Sequence, residues 1–338
     1  MSASGTPAVT PERILQMMWG YAPPMILATA TKLGLFDALD QGPQTAAEVA
    51  RRTKTSERGV RPVLNALVGL QFLGKSGKDQ YKLTPEAAAF LVSSKPGYLG
   101  AVVQQVGREL IPQWLALPDT VQSGRPARGV NQEEGAKFFE SLVVGLFPLN
   151  LPPAQALGKA LNVASAAKPL KILDIAAGSG VWGIGIAQNA PGSSVTAVDW
   201  PNVLEVTKRY AAEQGLAERF SYIDGDMNTV DFGTGYDLAV LGHILHSDGE
   251  KNSRALLKKV AKALVPGGTI AIAEYLVNED RTGPPMGLFF AINMLVNTDA
   301  GDTYSFEEIR QWLAEAGFTN PRKIEPGGPA SVIVAQKA

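Results

Sequence analysis

Two histidines are all that the chain contains, His243 and His246, three residues apart just after the apolar run Tyr236-Asp-Leu-Ala-Val-Leu241. Imidazole titrates closest to neutrality, so a proton transfer at physiological pH has these two natural carriers. Upstream, Lys171-Ile-Leu-Asp-Ile-Ala-Ala-Gly-Ser-Gly-Val-Trp-Gly-Ile-Gly-Ile-Ala187 reads as an apolar strand, a glycine turn and the start of a helix. Glycines at 178, 180 and 183 let the backbone turn tightly and approach a ligand, and the helix that follows offers unpaired N–H groups. This is a seat for a nucleoside cofactor. Gly178-Ser-Gly-Val-Trp-Gly183 also spells the dinucleotide fingerprint, so the loop alone does not choose between cofactors.

The elements around the loop narrow the choice. A second strand, Val195-Thr-Ala-Val-Asp199, ends 21 residues after Gly178 in a carboxylate suited to accept hydrogen bonds from both hydroxyls of a ribose. A third, Phe220-Ser-Tyr-Ile-Asp224, runs into Gly225-Asp-Met227, where Asp226 can read an adenine amino group and Met227 can cover the ring. The strand 236–241 is followed by the histidines, a helix over 250–264, Pro266-Gly-Gly268 and a strand Thr269-Ile-Ala-Ile-Ala-Glu274. That order of parts resembles the class I S-adenosylmethionine-dependent methyltransferases; a dehydrogenase has no need of Gly-Asp-Met and Pro-Gly-Gly at these places. Val198-Asp-Trp-Pro-Asn-Val203, Gly225-Asp-Met227, Ile244-Leu-His246 and Ala273-Glu-Tyr275 are similar in order and spacing to the small-molecule O-methyltransferases typified by plant caffeic acid enzymes and their bacterial relatives.

The resemblance implies an α/β chain: a Rossmann-like seven-stranded class I methyltransferase domain over 166–338, preceded by a mostly helical winged-helix dimerisation domain over 11–100. A helical connector over 101–165 would line the substrate site. The implied cofactor is S-adenosyl-L-methionine, held by Asp174, Gly178, Gly180, Asp199, Trp200, Asp226, Met227 and His243. His246 occupies the position of the family's general base, and Glu274 that of a carboxylate orienting it. Such a carboxylate fixes the imidazole's tautomer and favours the imidazolium as the acceptor's proton arrives. The helix over 284–297 matches the one covering the acceptor, with Met286, Phe289, Phe290, Asn293 and Met294 as contacts and Phe139 of the connector opposite. Thioethers and phenyl rings suit a flat aromatic or polyketide-like molecule with a hydroxyl to methylate. A homodimer through the N-terminal domain is expected. No metal is expected, because the family resembled is metal-independent and no further histidine completes a site.

The chain departs from the plant pattern in three places. His246-Ser-Asp248 stands where His-Asp-Trp is frequent, Gly242 where a lysine helps hold the cofactor, and Thr303, with Asp299 and Asp302 nearby, where a second acidic partner of the histidine belongs. Other uses of the same fold and cofactor remain open: N- or C-methylation, hydroxylation or pericyclic chemistry.

Composition agrees with a globular two-domain chain: 338 residues, 45% hydrophobic, 19% charged, net charge -1. That charge gives no reason to expect a polyanion partner. The lack of cysteine excludes disulfides, thiol catalysis and thiolate metal sites, and fits a cytoplasmic location. Neither a signal-type start nor an apolar run near ~18 residues is present, so no membrane span is expected.

The first hundred residues read as helices over 11–19, 24–39 and 55–72, with Thr45-Ala-Ala-Glu48 as a capping box and 74–83 as a hairpin. That is a winged helix, and its rival use is DNA binding, since 55–72 takes the recognition-helix position with Arg58 and Arg61. Glu57 in the same turn and the lack of clustered lysines leave little to neutralise phosphates, which favours the dimerisation reading.

Overall fold

In the computed structural model, residues 9–126, 136–328 and 330–338 are described, with backbone alone for 136–141. The chain divides into two compact units, the first ending at Ile111 and the second running from Pro112 to Ala338.

In the first unit, helices Glu12–Met18, Ala22–Lys32, Leu35–Leu39, Ala46–Thr53 and Glu57–Gly69 precede a hairpin of β2 (Leu73–Ser76) and β3 (Gln80–Leu83). A two-residue strand, β1 (Gln44–Thr45), pairs with β3. The expected capping box is present: Thr45 accepts the Glu48 N–H, and Glu48 accepts the Thr45 N–H at 2.7 Å. The single helix expected over 24–39 is instead two, because Gly34 takes a left-handed conformation, φ 67°, between Lys32 and Leu35. That turn drives Leu35, Phe36 and Leu39 into a core with Leu64 and Leu67. Arg61 pairs with Glu57 one turn away, so one of the two recognition-helix arginines is locally neutralised. Helix Glu12–Met18 buries none of its residues and leaves Ile14, Leu15, Met17 and Met18 exposed, as are Trp19 and Tyr21 after it.

The second unit is built on a seven-stranded sheet of β4 (Lys171–Ile175), β5 (Ser194–Asp199), β6 (Phe220–Asp224), β7 (Tyr236–Gly242), β8 (Leu264–Glu274), β9 (Phe318–Ile324) and β10 (Ser331–Lys337). Its order is β6-β5-β4-β7-β8-β10-β9; the first five strands pair in parallel, and β10 is antiparallel to both β8 and β9. Parallel strands need helices on both faces, which is why β4 buries apolar side chains on both: Leu173 and Ile175 enter one core layer and Ile172 the other. β8 starts at Leu264, earlier than the expected Thr269, and carries Pro266-Gly-Gly268 within its span.

From β4 the chain winds outward through β5 and β6, then returns to β7 on the other side of β4. This reversal leaves a crevice beyond the carboxyl ends of β4 and β7, the place where open α/β sheets bind their ligands. No helix among the described residues is long and apolar enough to cross a membrane.

Candidate active site

The glycine loop joins β4 to helix Val181–Asn189 and is held by two carboxylates. Asp174 Oδ2 accepts the Gly183 N–H at 2.8 Å, pinning the helix's first turn to the strand below. Asp199, at the tip of β5, accepts the Gly178 N–H through Oδ2 at 2.8 Å and the Trp200 N–H through Oδ1 at 2.7 Å. Thr207 donates its hydroxyl to the Gly178 carbonyl at 2.7 Å. Gly180 must lack a side chain: its φ is 73°, and a Cβ there would lie 2.7 Å from Thr207 Cγ2. Burial pushes Asp174 up to about 8, against the Gly183 N–H and with help from the neighbouring Asp199 charge. Burial likewise raises Asp199 to about 6, opposed by its two backbone donors.

At the tip of β6, Asp226 Oδ1 accepts the Asn228 N–H at 2.8 Å, and Lys259 donates to the Met227 carbonyl at 2.7 Å. A cavity of ≈ 290 Å³ opens here, lined by Asp226, Asn228, Asn252, Ala255, Leu256 and Lys259. Asp248 turns toward the same place, accepting from Asn228 and Asn252 at 3.2 and 3.4 Å.

Across the crevice, the β7 and β8 tips bring His246 and Glu274 together. His246, in the short helix Leu245–Asp248, places Nδ1 2.6 Å from Glu274 Oε2, and both side chains are buried. Glu274 Oε1 accepts the Leu245 and His246 N–H groups at 2.8 and 3.3 Å, which fixes the carboxylate before it meets the ring. Burial opposes the charge on Glu274, but His246 and the backbone donor hold it below the usual carboxylate range. The expected second acidic partner is replaced by none of its three candidates. Thr303 donates to the Gly287 carbonyl at 3.1 Å, Asp302 accepts from the Thr303 N–H, and Asp299 is exposed.

Rings enclose this pair. Phe290 meets His246 edge-on at 4.8 Å between centroids, Tyr275 lies 4.4 Å from Phe290, and His243 lies 5.3 Å from Tyr275. Burial and the Glu274 charge push the Tyr275 phenol up. His243 stands in the left-handed region, φ 64°, its N–H given to the Ala273 carbonyl at 2.9 Å. Burial drives its imidazole down to about 4, so it is neutral at physiological pH. Beneath it, a Cβ at Gly242 would sit 2.2 Å from Trp182 Cδ1: the indole fills the space of a side chain at 242.

The O-methyltransferase domain family matches residues 156–319, and the O-methyltransferase dimerisation domain matches 15–93. The 3-hydroxy-5-methyl-1-naphthoate 3-O-methyltransferase of Streptomyces sahachiroi is 31% identical over 100% of this chain and 99% of its own length. This chain belongs to the S-adenosylmethionine-dependent O-methyltransferases. A candidate O-methyltransferase of Nostoc punctiforme superposes with a TM-score of 0.89 at 31% identity, covering 98% of this chain and 100% of that one. The structure of PigF with SAH gives 0.81 at 27% identity, covering 97% and 100%.

The family's cofactor is S-adenosylmethionine, and in the loop Gly178 takes a left-handed φ of 58° with Val143 packed against it, where a Cβ would lie 3.0 Å from Val143 Cγ1. The residues expected at the acceptor fall into three groups on helix Pro285–Asn297. Phe290 reaches His246. Asn293 accepts the Trp114 indole N–H at 3.2 Å, and Met294 is buried in packing. Met286 and Phe289 are 60% and 59% exposed in this chain. The side chain of Phe139 lies outside the described residues. Tyr275 and Trp182 were not among the expected site residues. Tyr275 had a signal in its place beside Glu274 at a strand end, whereas the meeting of Trp182 with Gly242 joins separate elements.

Proposed function

We propose that this O-methyltransferase methylates a hydroxyl of a small aromatic or polyketide-like molecule, with His246 as general base and Glu274 as its orienting partner. The observation that carries the reading is the buried 2.6 Å contact between His246 Nδ1 and Glu274 Oε2, at strand tips next to the switch-point crevice. With Nδ1 committed to the carboxylate, Nε2 is the nitrogen left to accept a proton, and Glu274 stabilises the imidazolium that results.

For the cofactor, Asp199 would take the ribose hydroxyls, Asp226 and Met227 the adenine, with Gly178, Gly180 and Trp200 shaping the wall. Asp174 acts through Gly183, keeping the loop in its receptive shape. When bound, the cofactor supplies a methyl group already activated on a sulfonium. The chain's own task is to seat the acceptor with its oxygen in line, exclude water with Phe290 and Tyr275, and take up the hydroxyl proton at His246. An aromatic acceptor is supported by these rings and by the naphthoate and polyketide substrates named for the Streptomyces relatives. Homodimerisation is supported by the dimerisation-domain match and by the apolar side chains exposed around helix Glu12–Met18.

The test is the product. Given methyl-labelled cofactor and a panel of hydroxynaphthoates, phenols and arylamines, the enzyme is expected to yield methyl ethers. Label appearing on nitrogen or carbon, or no transfer despite cofactor binding, would refute the reading.

A further inference from the structure

His243 is unused by the proposed proton transfer, yet its Nδ1 is buried and has no hydrogen-bond partner among the described residues. Buried polar atoms are seldom left so, and an orphaned nitrogen beside other donors points to a missing ligand. The donors are at hand. One ligand atom each from His243, His246 and Glu274 lies within 4.8 Å of the others. Asp248, the next carboxylate in sequence, is not in the group, and its Oδ1 accepts from Asn228 and Asn252.

We propose that His243, His246 and Glu274 form an inhibitory site for a zinc-like divalent ion. Two imidazoles and a carboxylate are a ligand set that zinc accepts with a fourth position open. Tetrahedral donors at zinc–nitrogen distances of ~2.0 Å stand roughly 3.3 Å apart, so modest side-chain rotations close the site. Two nitrogen donors select against magnesium, which prefers oxygen. The ion takes the Nδ1 and carboxylate lone pairs that otherwise share a proton; that proton moves through solvent to Nε2, which leaves a neutral imidazole unable to accept another, and no electron moves. Turnover needs no metal. The ion blocks the base, and this blocking, unlike binding itself, rests on the role given to His246.

The experiment is calorimetric titration of the full chain with zinc alone, without cofactor or acceptor. One ion per chain is expected, with magnesium in large excess failing to compete. His243→Asn keeps a residue that tolerates the left-handed backbone and should weaken zinc by at least about tenfold, a typical lower bound for losing a metal-site contact. Glu274→Gln should weaken it similarly. Circular dichroism and a cooperative thermal melt verify that each variant is folded. Methyl transfer by the parent should fall with zinc and return with chelator, and His243→Asn should need at least tenfold more zinc for equal loss. Absence of stoichiometric binding, equal affinity in His243→Asn, or displacement by magnesium would overturn the site. If no acceptor is methylated by any preparation, the proposed reaction fails while the titration still decides this one.

Discussion

Three carboxylates on β4, β5 and β8 are held in different states by what surrounds them. Asp174 has one backbone donor and a like charge nearby, and burial wins; Asp199 has two donors, and burial wins by less; Glu274 has an imidazole and backbone donors, and burial loses. A buried carboxyl raised from 3.8 to about 8 makes folding weaker as pH rises, because the folded state then holds a proton that the unfolded chain has shed. Asp174→Asn keeps an acceptor for the Gly183 N–H and removes this titration. Its melting temperature relative to the parent should therefore climb between about pH 4 and pH 8, and a constant difference across that window would show that Asp174 is ionised in the fold. The sequence marked Asp174 and Asp199 as cofactor contacts and Glu274 as the partner of His246. Their backbone partners were harder to read, since Gly183 meets Asp174 only after the helix has packed on the strand.

Elements meet where side chains have been removed to let them. Trp182, in the helix after the loop, occupies the volume over Gly242 at the end of β7. Gly242→Ala puts a methyl into the indole and should cost about 1–3 kcal/mol, the usual range for an overpacked core, read as a lower urea midpoint with unchanged slope. Adding Trp182→Leu should return part of that loss; equal loss in the single and double variants would mean the clash is not with the indole. The capping box at Thr45 was legible because its partner lies three residues away. The break at Gly34 was missed because the helical apolar pattern continues across it. The ring cluster around His246 was half legible: Phe290 fell on the expected acceptor helix. Tyr275 joined it through sheet geometry that no local spacing encodes, while of the others on the same helix Met286 and Phe289 are exposed and Met294 is buried.

At the scale of the whole molecule, the described fold is a cofactor crevice at the switch point of one unit and, in the other, a helix with no buried face. Exposed Met17, Met18, Trp19 and Tyr21 are costly to leave in water and fit a surface covered by a second copy. Light scattering should give the mass of two chains, and Met17→Asp with Trp19→Asp should shift it toward one; a monomeric parent would contradict the assignment. The general-base reading is tested most directly by comparing the parent with His246→Gln over a series of aromatic hydroxyl acceptors of graded acidity, at one pH. The parent should outpace the variant by roughly 10²- to 10⁴-fold on weakly acidic hydroxyls, and the gap should close as acceptors arrive already ionised. A ratio near one for every acceptor, with cofactor affinity intact, would contradict the assignment of His246 as the base.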